Sequence, residues 1–247
     1  MNTFTIALAG KRIRICALHA YAKEYCKDYL AEGDEDISIT ITQSDIEFEQ
    51  AASAREDQLE GRPVRHFPED YLETLAIYRR IAEKLLPYNT LLFHGSVVSV
   101  DGQGYLFTAV SGTGKSTHTR LWRQRFGERC VMVNDDKPLL RITEDGVLAC
   151  GTPWDGKHRL SSNIMVPLKG IVILERGEDN EIVPISASEA MPMLLQQSHR
   201  PASPAELSGF LYLLDQITRK TGLYRLKCNM NPEAAQVAYD GMQRKDN

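Results

Sequence analysis

Cysteine is scarce in this sequence, and long apolar runs are absent from it. The 247 residues include five cysteines, which are widely spaced and form no CxxC pair: Cys16, Cys26, Cys130, Cys150 and Cys228. We therefore expect reduced thiols rather than a disulfide scaffold. No apolar run reaches the roughly 20 residues that a membrane span needs, so no membrane association is expected.

The charge balance and the N-terminus exclude further classes of protein. Lysine plus arginine number 29 and aspartate plus glutamate 33, which leaves a formal net charge of −4. This balance gives no reason to expect nucleic-acid binding. The N-terminus has no basic stretch followed by an apolar core, so we expect a cytoplasmic rather than a secreted protein. With 43% apolar residues the chain is suited to a folded core.

The sequence pattern changes at about residue 90. Residues 1–90 predict a small N-terminal α+β module, with an early hairpin and a helix over Pro68–Leu86 that carries an apolar stripe. The stretch 44–61 is charged and shows no clear periodicity, which we interpret as a loop or a mobile helix. Residues 91–247 predict an α/β domain that opens with two strands, Leu91–Val100 and Tyr105–Val110.

A glycine-rich loop follows the second of these strands. Its glycines allow backbone N–H groups to surround an anion, and the next helix directs its positive end at the same point. Lys115 supplies a positive charge for the phosphates, and the Ser116 hydroxyl suits Mg²⁺. The strict pattern has glycine where this chain has Ala109. The predicted nucleotide-binding residues are Ser111, Gly112, Thr113, Gly114, Lys115, Ser116 and Thr117.

Two adjacent carboxylates end an apolar strand shortly after this helix. Asp135 and Asp136 follow Val131–Asn134 at a distance of one helix and one strand from Lys115, which should bring them beside the loop. Neighbouring residues of a strand point to opposite sides, so one can hold a metal ion while the other faces a substrate. The alternative is a turn in which aspartate makes local hydrogen bonds.

The segment Gly151–Arg159 is a candidate for substrate contact. Trp154 offers a flat apolar surface, and Lys157, His158 and Arg159 add cations that suit a phosphate or an acidic substrate. The alternative is a packed turn with Trp154 in the core and the cations solvated. On the helix after the loop, we expect His118 at the surface and Arg120, Arg123 and Arg125 on a solvated face.

Residues 91–143 resemble the catalytic domain of HPr kinase/phosphorylase, whose fold is shared with ATP-dependent phosphoenolpyruvate carboxykinases. The matching features, in chain order, are His94-Gly95, the turn at 101–104, the loop Ser111–Ser116 and Asn134-Asp135-Asp136. The resemblance implies an α/β fold of the phosphoenolpyruvate-carboxykinase-like type, with a mixed sheet and a P-loop. The chain looks most like the compact relatives of HPr kinase, some of which phosphorylate peptide side chains. HPr kinases are oligomers, so a homo-oligomer is implied as well.

The resemblance also implies roles for individual residues. Lys115 and Ser116 would bind phosphate and Mg²⁺, Asp135 would be the base for the accepting hydroxyl, and Asp136 would be the metal ligand, although the two aspartates could be exchanged. His94 matches a histidine near the metal or the transferring phosphate. The segment that HPr kinases use for their protein substrate has no match here, which argues against HPr as the acceptor.

These observations predict an ATP- and Mg²⁺-dependent kinase that phosphorylates a hydroxyl, of the serine type, on a peptide or protein. Three alternatives stay open. They are a small-molecule kinase of the same fold, a carboxykinase-like transfer, and a nucleotide-binding module without catalysis.

Overall fold

Two compact units make up the chain, and they divide between Lys84 and Leu85. The computed structural model describes residues 2–59 and 61–243. Within these ranges, no helix combines the length and the apolar character that crossing a membrane requires.

A three-stranded sheet forms the core of the N-terminal unit. Strands β1 (Asn2–Leu8) and β2 (Lys11–Ala17) form an antiparallel hairpin, and β3 (Ile37–Thr40) pairs in parallel with β2. Alternate residues of the hairpin are buried, as the period of two in the sequence requires. The helices of this unit are α1 (Tyr21–Tyr25), α2 (Gln43–Leu59) and α3 (Glu69–Leu85), and the last of these crosses the division.

Charge, rather than an apolar stripe, holds helix α2 in place. The buried Asp45 accepts hydrogen bonds from the backbone N–H and hydroxyl of Thr42, and it pairs with Arg79 and Arg80 of α3. Hydrophobic periodicity is the main signal by which a sequence predicts a helix, and residues 44–61 have none. The sequence therefore did not distinguish a loop from a mobile helix there. Here the structure has an α-helix whose attachment is ionic.

The second unit contains a nine-stranded mixed sheet. Its strands in chain order are β4 (Thr90–Leu92), β5 (Ser96–Val100), β6 (Gln103–Thr108), β7 (Cys130–Asn134), β8 (Leu139–Ile142), β9 (Val147–Cys150), β10 (Met165–Arg176), β11 (Glu181–Pro184) and β12 (Gly222–Cys228). The order in the sheet is β4-β8-β9-β10-β6-β5-β7, and β12 pairs with both β10 and β11. The helices are α4 (Lys115–Phe126), α5 (Ala187–Gln197), α6 (Pro204–Lys220) and α7 (Glu233–Gln243). This arrangement confirms the prediction of an α/β fold with a mixed sheet at the level of its architecture.

The predicted strand Leu91–Val100 is two strands. Its first part, β4, pairs with β8, whereas its second part, β5, pairs with β6 and β7. The chain bends between them because the His94 N–H donates to the carbonyl of Gln197 and the Gly95 N–H donates to the carbonyl of Asp136. A side chain at Gly95 would press on the carbonyl oxygen of Phe107, 3.0 Å from its Cβ, so glycine allows this close approach. The bend places His94 at the end of β7.

Several strands of this sheet end at one edge. Strands β6, β10 and β12 are parallel neighbours. Strand β7 runs in the same direction, because it is antiparallel to β5, which is antiparallel to β6. The loops that follow these four strands therefore share the edge at which ligands usually bind in open α/β sheets. Apolar residues of α4 and α7 pack on one face of the sheet, and those of α5 and α6 pack on the other.

Candidate functional site

The loop between β6 and α4 depends on two glycines. Gly112 and Gly114 have φ angles of 80° and 124°, which side-chain-bearing residues rarely adopt. The Thr113 N–H and hydroxyl both donate to the carbonyl of Val110, at 3.2 and 2.8 Å. The Arg176 guanidinium donates to the carbonyl of Gly112 at 2.8 Å. The loop is thus shaped by its backbone and attached to the end of β10.

Helix α4 begins at Lys115, and no side chain caps its N-terminus within the described part of the chain. Its first N–H groups are therefore not satisfied by a capping side chain, and the dipole of a helix favours an anion at this end. The Lys115 ammonium lies 3.4 Å from the carbonyl oxygen of Ala109. Burial lowers the pKa of Lys115, while the negative charges of Asp136 and Asp135 act in the opposite direction. The positive charge of Lys115 thus lies near both the loop and the two carboxylates.

The Asp135 side chain is buried at the end of β7, with 7% of the residue exposed. The hydroxyl of Thr119 donates to its Oδ1 at 3.5 Å. Burial raises the pKa of Asp135, although hydrogen bonds from the hydroxyls of Ser96 and Ser116 and the positive charge of His158 lower it in part. A buried carboxylate with a raised pKa, in contact with Ser116, is suited to receive a proton.

Asp136 lies in a different electrostatic environment. The Nε2 of His94 is 3.3 Å from its Oδ1. Burial acts to raise the pKa of Asp136, but the hydrogen bond from His94 and the charges of Lys137 and Lys115 outweigh it, so the pKa is lower than usual. Of the two adjacent carboxylates, Asp136 is therefore the one that stays ionised more readily.

One buried amide, Asn134, holds the turn that carries both aspartates. Its Oδ1 accepts the N–H groups of Asp136 and Lys137 at 2.9 and 2.6 Å. Its Nδ2 donates to the carbonyl and the hydroxyl of Thr152, both at 3.0 Å. The Asn134 side chain thus links the strand end to the segment that begins at Gly151.

Trp154 is buried, with 2% exposure, so it is not an exposed surface for a substrate. Its burial corresponds to the packed-turn alternative, and a substrate contact of this segment stays a prediction. Arg159 pairs with Asp155 at 3.2 Å and donates to the carbonyl of Pro153, so it stabilises its own turn. Lys157 and His158 are exposed, and of these two the structure places His158 in the wall of the cavity that contains Asp135.

His118 is buried, with 3% exposure, where the sequence predicted it at the surface. Its Nε2 accepts a hydrogen bond from the Trp122 Nε1–H at 2.9 Å, and burial lowers its pKa to about 4. The neutral ring therefore carries its proton on Nδ1. His118 and Trp122 are four residues apart, and this helical spacing is the sequence signal that could have predicted the hydrogen bond between their side chains.

The sequence also missed Asp155 as a site carboxylate. The Ser161 hydroxyl donates to it at 2.8 Å, and burial raises its pKa, with a smaller contribution from the charge of Asp135. Its neighbour Gly156 lies against the side chain of Asp136: a Cβ added at Gly156 would be 3.2 Å from the Cβ of Asp136. The turn that contains Asp155 thus closes one side of the site.

Two cavities border opposite sides of α4. The larger, of about 520 Å³, reaches from the glycine loop, His118 and Leu121 to the ends of β10 and β12. The smaller, of about 200 Å³, contains Ser116, Arg120, Arg123 and Asp135. At about 100° per residue the two sets lie on opposite sides of the helix, with Thr117 bordering both.

The oxygen donors of this site suit Mg²⁺, which phosphate and water help to bind, rather than a metal ion bound by protein side chains alone. The described ranges contain no group of three or more His, Cys, Asp or Glu side chains arranged for a metal ion. Mg²⁺ is usually bound through one or two carboxylates together with phosphate oxygens and water. The Ser116 hydroxyl and the Asp136 carboxylate are hard oxygen donors of that kind, so these residues fit a metal that arrives with a nucleotide.

Replacing Gly151 by alanine is expected to destabilise the protein by about 3 kcal/mol. The new Cβ would overlap the carbonyl oxygen of Ser162 and lie 2.8 Å from that of Val133, and neither backbone atom can move aside cheaply. Urea unfolding measures the change. Gly209→Ala is the matched control, because a Cβ there meets open space, and it should be stabilising by up to about 1 kcal/mol. Equal effects of the two substitutions would contradict the close contact at Gly151.

The fold and the site together define a mixed α/β protein with a glycine-rich loop and a pair of carboxylates at one sheet edge. The family described as "SynChlorMet cassette protein ScmC" matches residues 69–231, so the chain belongs to the ScmC family. The matched range begins at the first residue of α3 and ends just after β12.

The comparison with solved structures gives a distant likeness. The chain is similar to the HPr(Ser) kinase/phosphatase from Coxiella burnetii at 10% sequence identity, with a TM-score of 0.35; the match covers 60% of this chain and 94% of that chain. None of the curated proteins matches this chain.

Proposed function

We propose that this protein is an ATP-dependent kinase that, with Mg²⁺, phosphorylates a serine-type hydroxyl of a peptide or protein. The observation that carries the proposal is the position of Asp135. Its buried carboxylate has a raised pKa and lies next to Ser116, the second residue of the helix that the glycine loop leads into. A nucleotide-binding module without catalysis has no use for such a group.

The loop and its helix would hold the polyphosphate of ATP. Gly112 and Gly114 give the backbone its left-handed turns, and the uncapped N-terminus of α4 supplies N–H donors. Thr117 borders the larger cavity, whose volume of about 520 Å³ is in the range of small-molecule sites. We assign the nucleoside to that cavity, since it starts at the loop and continues along the ends of β10 and β12.

The proposed transfer needs a base, a charge and a metal site. Asp135 takes the proton of the acceptor hydroxyl while the hydroxyl oxygen forms a bond to the γ-phosphorus. The bond between that phosphorus and the β–γ bridging oxygen breaks, and ADP leaves. Lys115 stabilises the charge on the transferring group. Ser116 and Asp136 would hold Mg²⁺, which when bound neutralises phosphate charge. His94 orients Asp136 through their contact at 3.3 Å.

Incubation with γ-labelled ATP and Mg²⁺, followed by mass spectrometry of candidate acceptors, tests the proposal. Serine-containing peptides and hydroxylated small molecules are offered in parallel, which separates a peptide kinase from a metabolite kinase. We expect label on an acceptor hydroxyl and formation of one ADP per transfer. Tight ATP binding without transfer to any acceptor would contradict the kinase proposal and favour a nucleotide-binding module.

A further inference from the structure

The smaller cavity beside α4 has more positive charge than its own carboxylate balances. Arg120 and Arg123 are three residues apart on α4, so both side chains reach the same wall, and the exposed imidazole of His158 lies there too. Asp135 is the one carboxylate in that wall. Among residues 2–59 and 61–243, neither of the two arginines forms an ion pair.

Arg123 is the clearest sign that the cavity is built for a ligand. Its Nε is buried and has no hydrogen-bond partner in the described ranges. Burying a guanidinium N–H costs free energy unless an acceptor is supplied. Arg125, two residues later on the same helix, shows the usual solution, since its Nε donates to Gln236 at 2.9 Å. The cavity thus has an unused guanidinium donor at Arg123, whereas the corresponding donor of Arg125 is satisfied.

We propose that this cavity is the acceptor pocket and that it selects a hydroxyl compound with a carboxylate or phosphate group close to the hydroxyl. The proposal rests on the phosphotransfer function proposed above. Arg120 and Arg123 bind the anionic group, for which the planar guanidinium is suited to paired hydrogen bonds. Asp135, in the same wall, then meets the hydroxyl. An acceptor without the anion leaves both guanidinium groups unpaired and binds more weakly.

Binding to the full-length protein loaded with Mg²⁺ and a non-hydrolysable ATP analogue tests the pocket without requiring transfer. The analogue fills the phosphate loop, so it does not compete for the added anion. Calorimetry compares two pairs of probes that differ in charge alone: glycerate against its amide, and a capped Ala-Ser-Asp peptide against capped Ala-Ser-Asn. A preference in the first pair indicates a free hydroxy acid as the source of the anion, and one in the second pair indicates a peptide side chain.

We expect the charged member of at least one pair to bind tenfold or more tighter than its neutral partner. The double variant Arg120→Gln/Arg123→Gln should lose that preference, and Arg125→Gln should keep it. Arg120 is exposed, so the single variant Arg120→Gln provides the same comparison if the double variant does not fold. Equal binding of charged and neutral probes, or a preference that persists in the arginine variants, would overturn the proposal.

Transfer assays with the same four probes separate this proposal from the proposed function. A charge preference in binding without phosphorylation of any probe or candidate acceptor would contradict the kinase function and still support an anion pocket. Transfer with equal kcat/KM to charged and neutral probes would contradict the pocket and still support a kinase. An equal loss of kcat for both kinds of probe in the arginine variants would also overturn the pocket, because it would assign the arginines to the transferring phosphate.

Discussion

Asp135→Asn is expected to lower kcat for phosphotransfer by at least about a hundredfold and, at the same time, to raise the melting temperature at neutral pH. The amide cannot take the proton of the acceptor hydroxyl, which removes the proposed base. The rise in stability follows from burial, which raises the pKa of the carboxyl group and so makes its ionised form costly in the folded protein. A residue retained only for structure would not give this combination.

The pH dependence of stability has a defined sign. Because the folded protein binds the Asp135 proton more tightly than the unfolded chain, the wild type loses stability as pH rises past the unfolded pKa, which is about 4. The difference in melting temperature between Asp135→Asn and the wild type should therefore be smallest below pH 4 and grow toward pH 8. Thermal unfolding over this range measures it. Asp145→Asn, an exposed aspartate between β8 and β9, is the control and should show no such trend. A variant that is less stable than wild type at pH 8 would contradict the account.

Lys115→Ala is the second substitution for which we expect a large effect. The loss of its charge should weaken binding of ATP with Mg²⁺ and lower the transfer rate by a factor of about 10² to 10³. The ammonium lies beside the loop carbonyl of Ala109 and near the carboxylates Asp135 and Asp136. Calorimetry with the ATP analogue gives the affinity, and labelled ATP gives the rate.

Lys84→Ala on α3 is the control for this substitution, since Lys84 is exposed and lies in the other unit. It should bind ATP and transfer phosphate as the wild type does. If Lys115→Ala retained wild-type affinity and rate, the proposed role of the glycine loop in holding the phosphates would be contradicted.

The sequence predicted the parts of this protein that have strong local signals. The apolar stripe placed the helix over Pro68–Leu86, which is α3 (Glu69–Leu85) in the structure, and the N-terminal pattern placed the hairpin of β1 and β2. The glycine loop was recognisable because its conformation needs glycine at Gly112 and Gly114. Each of these features depends on residues that are close together in the chain.

Contacts between distant residues could not be predicted in the same way. The bend at His94 is produced by hydrogen bonds to Gln197 and Asp136, so no pattern within Leu91–Val100 reveals it. Helix α2 lacked a signal because ion pairs to α3 replace an apolar stripe. The sequence predicted a solvated face for the two arginines of the smaller cavity, because a helix pattern does not show that Asp135 and His158 line the same cavity.

The double hydrogen bonding of Asn134 has a consequence for how this fold tolerates change. The hairpin of β8 and β9 leaves the site at Lys137 and returns at Thr152, and Asn134 is bonded to the chain at both of these points. The base of the hairpin is therefore closed by the Asn134 side chain together with the Thr152 hydroxyl, which donates to the carbonyl of Lys137 at 2.8 Å. Its tip is exposed at Glu144 and Asp145, so we expect an insertion there to leave the two carboxylates in place.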